Sequence, residues 1–285
     1  MSSPGRLRVA FQGERGAFSE EAIIRLLGEQ VEVVPRRTFE SLFAAINDGA
    51  ADRILAPVEN TLAGSVHRCY DLLLESTLEI VAEVVHPIAH FLIGPPGARF
   101  ENLASVESHP VALAQCESFF RQHPKIRRLP AEDTAGSVRH VVQSRDTTRA
   151  AIASIRAAQV YGGTVLAEHL EDNRANYTRF LLLNSAQKSA ARIPSANKLS
   201  LGLQLAHSPG SLWHALGVFA QRKINLLRIE SRPVAGRPWE YMFYLDLAAS
   251  LADESTQDAL RELQQHASTV RTLGCYVAAE MPVVG

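Results

Sequence analysis

The sequence predicts an α/β domain followed by a smaller, ferredoxin-like βαββαβ domain. From Leu7 to about Phe180, short apolar runs alternate with segments of helical periodicity, which is typical of a sheet covered by helices. After Lys198 the order of the patterns is strand, helix, strand, strand, helix, strand. The chain has 285 residues, which is long enough for two domains.

The elements of the first domain follow from the spacing of apolar residues between turn and capping residues. We predict strands at Leu7–Gln12, Val31–Pro35, Arg53–Val58, Glu79–Val85, Ala89–Ile93, Ala104–Glu107 and Val165–Ala167. We predict helices at Ser19–Leu27, Thr38–Asp48, Gly64–Glu75, Pro110–Gln122, Gly136–Ser144 and Arg149–Tyr161. The three leucines after Phe180 indicate a further buried strand.

A stretch rich in Ser, Ala and Pro before Lys198 lacks apolar periodicity and predicts a linker. We therefore expect domains at residues 1–185 and 198–285, with the linker at 186–197. In the second domain we predict strands at Leu199–Leu205, Asn225–Ser231, Tyr241–Leu247 and Val270–Ala278, and helices at Ser211–Arg222 and Ser255–His266.

Composition and charge exclude several classes of protein. Lys and Arg total 29 against 30 Asp and Glu, so the formal net charge of −1 provides no positive field for nucleic acid. No stretch is apolar enough to cross a bilayer and the N-terminus has no signal-peptide pattern, so we expect a cytoplasmic protein without membrane contact. Three separated cysteines predict reduced thiols. His86 and His90 share a strand spacing but lack a third ligand cluster, so we expect no metal.

Five loops collect small and hydroxyl residues beside predicted strand ends or helix starts. At such places backbone N–H groups and the helix dipole favour anions, and α/β sheets bind ligands in the crevice formed there. Each loop also has an alternative explanation without a ligand. The first, third and fourth can be capped helix starts or turns. In the second, Glu59 and Asn60 can satisfy neighbouring backbone groups, and in the fifth Arg179 can be an ordinary surface residue. The loops lack the G-x-G-x-x-G, Walker and G-x-S-x-G patterns. They lie at residues 13–21, 56–66, 108–110, 133–137 and 173–180.

Taken together, the motifs in these loops resemble those of prephenate dehydratases. They are Gly16-Ala17-Phe18-Ser19, Pro57-Val58-Glu59-Asn60-Thr61 with Gly64-Ser65-Val66, Ser108-His109-Pro110 with Ala114-Gln115-Cys116, Asp133-Thr134-Ala135 and Asn176-Tyr177-Thr178-Arg179-Phe180. The second domain resembles the ACT regulatory domain of that family. Its motifs are Ser208-Pro209-Gly210-Ser211-Leu212 and Ile229-Glu230-Ser231-Arg232-Pro233, followed by Pro238-Trp239-Glu240-Tyr241.

This resemblance implies a fold and an activity. The catalytic domain is expected to have two α/β lobes around a cleft, similar to type 2 periplasmic binding proteins. The expected reaction is the decarboxylative dehydration of prephenate to phenylpyruvate in phenylalanine biosynthesis, a carbon–oxygen lyase reaction without a metal or cofactor. L-Phenylalanine is the expected feedback effector at the ACT domain, and a homodimer or homotetramer is the expected assembly.

The resemblance assigns Thr178 as the hydrogen-bond donor to the departing hydroxide, where stabilisation of the transition state is needed most. Glu59 is the competing general acid, because a desolvated carboxyl group at a strand end can be protonated near neutral pH. Arg179 is expected to bind the carboxylate that stays on the product, because pairing with the departing carboxylate opposes decarboxylation.

Other residues are expected to contact the two ligands. Those for the substrate are Ser19, Asn60, Thr61, Ser65, Ser108, Thr134 and Phe180. Those for the effector are Gly210, Ser211, Leu212, Glu230, Ser231, Arg232 and Pro233.

Two departures from the family pattern leave the substrate open. Glu14 and Ala17 stand where the family commonly has Pro and Thr, so one hydroxyl donor is missing. The residues at 64–68 and 70–74 also resemble arogenate dehydratases, whereas Asn176-Tyr177 is similar to the prephenate enzymes. A non-catalytic sensor of amino acids or anions is the alternative from another class, since fold does not decide function. Such a sensor has no need of a leaving-group donor such as Thr178.

Overall fold

The computed structural model describes residues 6–185, 193, 195–234 and 240–280. Most of the predicted linker, at residues 186–192 and 194, and the Pro238-Trp239 part of the last motif lie outside these residues. No helix in the described ranges has the length and apolar character needed to cross a membrane.

The strands of the described residues are β1 (Arg8–Gln12), β2 (Glu32–Arg36), β3 (Arg53–Asn60), β4 (Gly64–Ser65), β5 (Leu78–Pro87), β6 (Phe91–Gly94), β7 (Ser105–Ser108), β8 (Arg127–Pro130), β9 (Arg149–Ala153), β10 (Thr164–Ala167), β11 (Tyr177–Ser185), β12 (Lys198–Leu205), β13 (Leu226–Pro233), β14 (Tyr241–Leu247) and β15 (Ala267–Tyr276). The helices are α1 (Phe18–Leu27), α2 (Phe39–Ala44), α3 (His67–Glu75), α4 (Pro110–Ala114), α5 (Glu117–Gln122), α6 (Thr134–Ser144), α7 (Ile155–Tyr161), α8 (Ser211–Gln221) and α9 (Glu254–Leu263).

The chain forms two compact units. Of the described residues, unit 1 contains 6–66 and 84–180, and unit 2 contains 67–83 and the residues from 181 to 280. The segment at 67–83 therefore groups with the C-terminal part of the chain, whereas the sequence-based proposal assigned it to the domain at 1–185. The chain passes from one unit to the other within β5 and again within β11.

Two separate sheets organise unit 1. The first has the strand order β2-β1-β3-β11-β5, with β4 paired to β3, and β1 runs parallel to both β2 and β3. The second has the order β10-β6-β9-β7-β8, with β7 parallel to β8 and β9. We call the parts of unit 1 built on these sheets lobe 1 and lobe 2. They confirm the predicted two-lobed α/β class.

Two predicted helices are wrong in part, because each segment is interrupted in the structure. The segment Arg149–Tyr161 is a buried strand, β9, followed by α7, because Ser154 has extended backbone angles and its hydroxyl accepts the N–H of Ala157. The segment Pro110–Gln122 is divided into α4 and α5 at Gln115 and Cys116.

Two short strands escaped prediction. Gly64 and Ser65 form β4 opposite Asn60 and Glu59, so the helix predicted from Gly64 begins only at His67. Strand β8 is a largely exposed edge strand of two arginines, a leucine and a proline, and it has no apolar alternation to reveal it.

Unit 2 contains the predicted βαββαβ arrangement. Its antiparallel sheet has the order β13-β14-β12-β15, which is ferredoxin-like. Leu199, Leu201 and Leu203 on one face of β12 are fully buried in a core with α8 and α9. The other face of the sheet meets the segment at 67–83, so closely that a Cβ added at Gly274 would lie 2.3 Å from the Ile80 carbonyl oxygen.

Candidate active site

A cleft between the two lobes of unit 1 brings the five predicted loops together. Its cavity volume is about 350 Å³, within the range of small-molecule sites. Four residues predicted to contact the substrate line it, namely Ser19, Asn60, Thr134 and Thr178. His90, His109 and Gln115 also line it.

Asn60 is the last residue of β3, and its side-chain amide has one possible orientation. Its Oδ1 accepts the backbone N–H groups of Leu62 at 3.0 Å and Ala63 at 2.8 Å, which is an Asx-type turn. Its Nδ2 therefore faces β11, where it lies 3.1 Å from the Tyr177 carbonyl oxygen and 3.0 Å from Thr178 Oγ1. Two backbone donors thus determine which groups Asn60 offers to the neighbouring strand.

Thr178 is buried at the cleft and accepts a hydrogen bond from Asn60. Because Asn60 Nδ2 is a donor, the threonine hydroxyl keeps its own proton for another acceptor. A hydroxyl that accepts one hydrogen bond is a stronger donor in the next, since hydrogen bonds in a chain polarise one another. The arrangement prepares Thr178 to donate into the cleft.

The hydrogen-bond chain continues from Asn60 into lobe 2. Asn60 Nδ2 donates to Asn176 Oδ1 at 2.8 Å, and Asn176 Nδ2 donates to Gln115 Oε1 at 3.0 Å. The same Gln115 oxygen lies 2.8 Å from His90 Nε2. Gln115 and Asn176 stand in the sequence motifs, but no role is predicted for either from the sequence. The missed signal is spacing, because Asn176 and Thr178 are two residues apart and such residues in an extended chain point to the same side.

The structure does not bring Glu59 or Arg179 to the cleft. Side chains alternate along a strand, so Glu59 lies on the opposite face of β3 from Asn60, and Arg179 on the opposite face of β11 from Thr178. Neither residue is among those that line the cleft. The expectation that these two charged residues meet the substrate stays a prediction, and it requires contacts beyond this cavity.

Four other predicted contacts are absent from the cleft lining. Thr61 Oγ1 donates to the Ala175 carbonyl oxygen at 2.8 Å and accepts the Tyr177 N–H at 2.9 Å, so its hydroxyl joins two backbone segments. Ser108 is fully buried and donates to the Ile152 carbonyl oxygen at 2.6 Å. Phe180 is a core residue, and Ser65 lies in β4 opposite Glu59.

Two long helices begin at the cleft. Residues around the first turns of α1 and α6, including Ser19 and Thr134, line it. Asp133 caps α6 by accepting the Gly136 N–H at 2.6 Å. The remaining free N–H groups and the positive ends of the helix dipoles favour an anionic ligand. Within the described part of the chain, no cluster of three or more His, Cys, Asp or Glu residues has the geometry of a metal site.

A buried carboxylate joins lobe 1 to lobe 2 beside the cleft. Glu20 Oε2 accepts the Gly16 N–H at 2.8 Å and pairs with Arg15, and Glu20 Oε1 pairs with Arg156 of α7 at 3.1 Å. Burial acts to raise the pKa of Glu20, but the hydrogen bonds from Gly16, Arg15 and Arg156 outweigh it and lower the pKa. The Ser154 hydroxyl also donates to the Gly16 carbonyl oxygen at 2.6 Å.

Unit 2 has a smaller cavity of about 150 Å³ at the start of α8. Ser211 and Leu212, two of the residues predicted to bind the effector, line it. Gly210 precedes them with a φ of +84°. Tyr241 and Phe243 of β14 also line it.

The other predicted effector residues lie on β13 and are divided between its two faces. Ser231 and Pro233 are exposed, whereas Glu230 and Arg232 are partly buried. The Arg232 guanidinium pairs with Asp71 of α3 at 3.1 Å, and this hydrogen bond raises the pKa of Arg232. The structure therefore does not bring all seven residues to one cavity.

Comparison with known proteins finds matches over nearly the whole chain. The family model for prephenate dehydratase matches residues 9–188, and that for the ACT domain matches residues 200–265. Arogenate dehydratase/prephenate dehydratase 1 of Arabidopsis thaliana, a chloroplastic protein, is 42% identical over 285 residues, which cover 95% of this chain and 72% of the relative.

Two solved structures are similar over most of their length. Prephenate dehydratase from Arthrobacter aurescens in complex with L-Phe aligns with a TM-score of 0.86 and 29% identity, covering 95% of this chain and 90% of that one. GqqA, described as a novel type of quorum quenching acylase, aligns with a TM-score of 0.88 and 31% identity, covering 95% of this chain and 98% of that one.

Proposed function

The chain belongs to the prephenate dehydratase family and is a lyase, and we propose that it converts prephenate to phenylpyruvate under feedback control by phenylalanine. One observation carries the proposal. Thr178 lies at the cleft with its oxygen accepting from Asn60, so that its proton is available to a leaving group.

The chemistry requires a donor at this position. Breaking the bond to the departing carboxylate releases CO₂, and its electron pair enters the ring as the C–O bond breaks and hydroxide leaves. Because hydroxide is a poor leaving group, a hydrogen bond to the departing oxygen lowers the barrier most. We assign this hydrogen bond to Thr178, with Asn60 polarising the hydroxyl.

The rest of the cleft suits a dianion. Free N–H groups at the starts of α1 and α6, together with the hydroxyls of Ser19 and Thr134, are the donors we assign to the substrate carboxylates. Arg179 does not line the cleft. In this proposal the retained carboxylate is therefore bound by these N–H and hydroxyl donors and not by the Arg179 guanidinium.

Thr178→Val tests the donor because it keeps the shape of the side chain and removes the hydroxyl. We expect kcat for prephenate to fall by about 10²-fold or more, with Thr178→Ser retaining most of the activity. Glu59→Gln is the competing variant and is expected to stay within a few-fold of wild type. Loss of turnover in Glu59→Gln, with Thr178→Val nearly unaffected, would falsify the assignment.

Arogenate is the second candidate substrate, because the name of the Arabidopsis thaliana relative includes both activities. Separate incubations with prephenate and arogenate, with phenylpyruvate and phenylalanine quantified, distinguish the two. Phenylalanine formed from arogenate alone would assign the second activity. No turnover of either substrate by a folded sample would favour the sensor alternative.

The acylase activity named for GqqA has no support in the cleft. Ser19, Thr134 and Thr178 are the hydroxyls that line it among the residues described, and none has a hydrogen bond to a histidine or carboxylate there. An activated serine or threonine nucleophile needs such a base.

We place phenylalanine at the cavity beside α8, supported by the ACT domain match and by the L-Phe complex of the Arthrobacter aurescens enzyme. Calorimetry should show binding that Ser211→Ala weakens. Arg261→Ala, on an exposed part of α9, is the control and should leave the affinity unchanged. Equal affinity in Ser211→Ala and wild type would exclude this position.

The cytoplasmic location and the homo-oligomeric assembly also belong to this proposal. Cell fractionation measures the first and light scattering of the purified protein the second. We expect a dimer or tetramer in solution.

A further inference from the structure

The hydrogen-bond chain of the cleft ends at His90, a buried imidazole that the proposed reaction does not use. The residue is 1% exposed, and its ring packs edge-on against Phe18 with the centroids 5.6 Å apart. Its backbone N–H donates to the Glu171 carboxylate at 2.7 Å. Its Nε2 lies 2.8 Å from Gln115 Oε1. Contacts on several sides therefore hold the ring in place beside the cleft.

The direction of every hydrogen bond in this chain follows from its beginning. Asn60 Oδ1 accepts two backbone N–H groups, so Asn60 Nδ2 is the atom that faces Asn176. Because Asn60 Nδ2 is a donor, Asn176 must present Oδ1 to Asn60. Its Nδ2 then faces Gln115. Gln115 must then present its carbonyl oxygen to Asn176.

The Gln115 oxygen also determines the tautomer of His90. Gln115 Oε1 has no proton, so His90 Nε2 must be the donor in their contact. Nδ1 of His90 is buried and has no partner among the described residues. A proton on Nδ1 would leave a buried N–H unsatisfied and would set the Nε2 lone pair against the Gln115 oxygen. Burial lowers the pKa of His90, which keeps the ring neutral at pH 7.

The Gln115 amide therefore has only its two N–H groups available for a ligand in the cleft. Its oxygen accepts from both His90 and Asn176, whereas its Nε2 has no hydrogen bond to any residue that the structure describes, and the side chain lines the cleft. A glutamine held by one hydrogen bond can turn its amide over and present the oxygen instead. Two donors to the oxygen oppose that rotation.

We propose that His90 is a positioning residue that, through Gln115 Oε1, holds the Gln115 amide NH₂ toward the cleft as a donor to a carboxylate or keto oxygen of the substrate. The inference rests on the proposed function for its substrate. Without the histidine donor, Gln115 would present oxygen to an anionic substrate for part of the time, which weakens binding.

A double-mutant cycle tests whether His90 acts through Gln115. His90→Leu should raise KM for prephenate by about tenfold, and His90→Gln, whose amide places a donor near the Nε2 position, should remain within about threefold of wild type. In a Gln115→Ala background, His90→Leu should add less than about a twofold effect. Far-UV circular dichroism checks folding, and His140→Leu, on an exposed part of α6, is the matched control.

A packing role for His90 makes a different prediction. It would give the same loss in the Gln115→Ala background as in the wild type, and no rescue by His90→Gln. Either result would overturn the proposal.

A second measurement does not depend on the variants being active. Nitrogen-15 NMR of the histidine rings, with the His90 signals assigned by their loss in His90→Gln, should show a protonated Nε2 and an unprotonated Nδ1 at pH 7. A proton on Nδ1 instead, or on both nitrogens, would overturn the proposal. If the wild-type protein turns over neither prephenate nor arogenate, the proposed function fails, and the tautomer still decides the geometry of Gln115.

Discussion

At the scale of single residues, Asn60 connects the end of a strand to the chemistry. Its oxygen closes the turn after β3 and its nitrogen donates to Thr178, so one side chain has a structural part and, in the proposed reaction, a functional one. Asn60→Asp can separate the two parts. The aspartate keeps an oxygen that accepts the N–H groups of the turn, but it has no N–H group to donate to Thr178.

Asn60→Asp is therefore expected to reduce kcat by about 10²-fold, since the new oxygen would attract the Thr178 proton away from the substrate. Stability should fall by about 1–3 kcal/mol, because the carboxylate oxygen faces the Asn176 and Tyr177 oxygens. Steady-state kinetics and urea unfolding measure the two effects. Asn102→Asp, at an exposed position, is the control, and a folded Asn60→Asp enzyme with wild-type kcat would contradict the role of Asn60.

The burial of His90 also predicts a dependence of stability on pH. Burial lowers the pKa of His90 in the folded protein below its ordinary value of 6.5, while Gln115 and the Glu171 carboxylate oppose this effect. Below pH 6.5 the unfolded chain therefore takes up a proton that the folded protein does not, so the free energy of unfolding falls as the pH decreases.

His90→Gln removes this contribution. Between pH 7.5 and 5.5 the wild type should lose up to about 1.4 kcal/mol more stability than His90→Gln. Urea unfolding at several pH values measures the difference. Parallel pH profiles for the two proteins would show that His90 titrates alike in the folded and unfolded states.

At the scale of elements, the loop before α1 joins the two lobes of unit 1. Gly16 has a φ of +84°, and a Cβ added there would lie 2.7 Å from the Ala157 Cα of α7. Glu20 and Ser154 hold the same loop through its backbone. The residues that follow the loop line the cleft, so the contact with α7 positions part of the site.

Gly16→Ala should cost more than a change at a glycine with open space around it. Gly162, at the end of α7, has a φ of +70° and no atoms within 4 Å of an added Cβ, so Gly162→Ala should cost about 1–2 kcal/mol for the backbone alone. Gly16→Ala should cost about 1–3 kcal/mol beyond that and should raise KM for the substrate. Equal urea midpoints for the two variants would show that the contact with Ala157 is readily relieved.

At the scale of the whole molecule, the segment at 67–83 follows the cleft loop at 60–66 in the chain but belongs to unit 2. Within that unit, Tyr244 donates to the Tyr70 carbonyl oxygen at 2.8 Å, and Arg232 pairs with Asp71. Glu83, near the end of the segment, forms a nearly buried ion pair with Lys198, whose Nζ lies 2.9 Å from Glu83 Oε1. A polar face of the ACT sheet is thus completed by residues more than 100 positions away.

Breaking the buried ion pair should destabilise the protein strongly. Lys198→Met leaves the Glu83 carboxylate buried without its cation and should lower the free energy of unfolding by about 3 kcal/mol. Glu83→Gln in the same chain should restore part of this loss. Arg261→Met removes an exposed pair and should change stability by less than about 1 kcal/mol. The prediction is wrong if Lys198→Met and Arg261→Met have the same Tm in thermal unfolding.

The sequence by itself determined the α/β class, the βαββαβ order and the loops that meet at the cleft. These depend on apolar periodicity, capping residues and turn residues, which act over a few neighbouring positions. The same local signals predicted one helix over Arg149–Tyr161, because alanine is a strong helix former and periodicity alone does not distinguish a short buried strand from a helix.

Only the tertiary structure decided which of two adjacent residues lines the cleft. Strands β3 and β11 are largely buried, so their apolar patterns do not reveal the face to which Asn60 or Glu59, and Thr178 or Arg179, belongs. The chain of amides from Asn60 to Gln115 and the position of the segment at 67–83 depend on contacts between distant parts of the chain. Local periodicity in the sequence does not predict such long-range contacts.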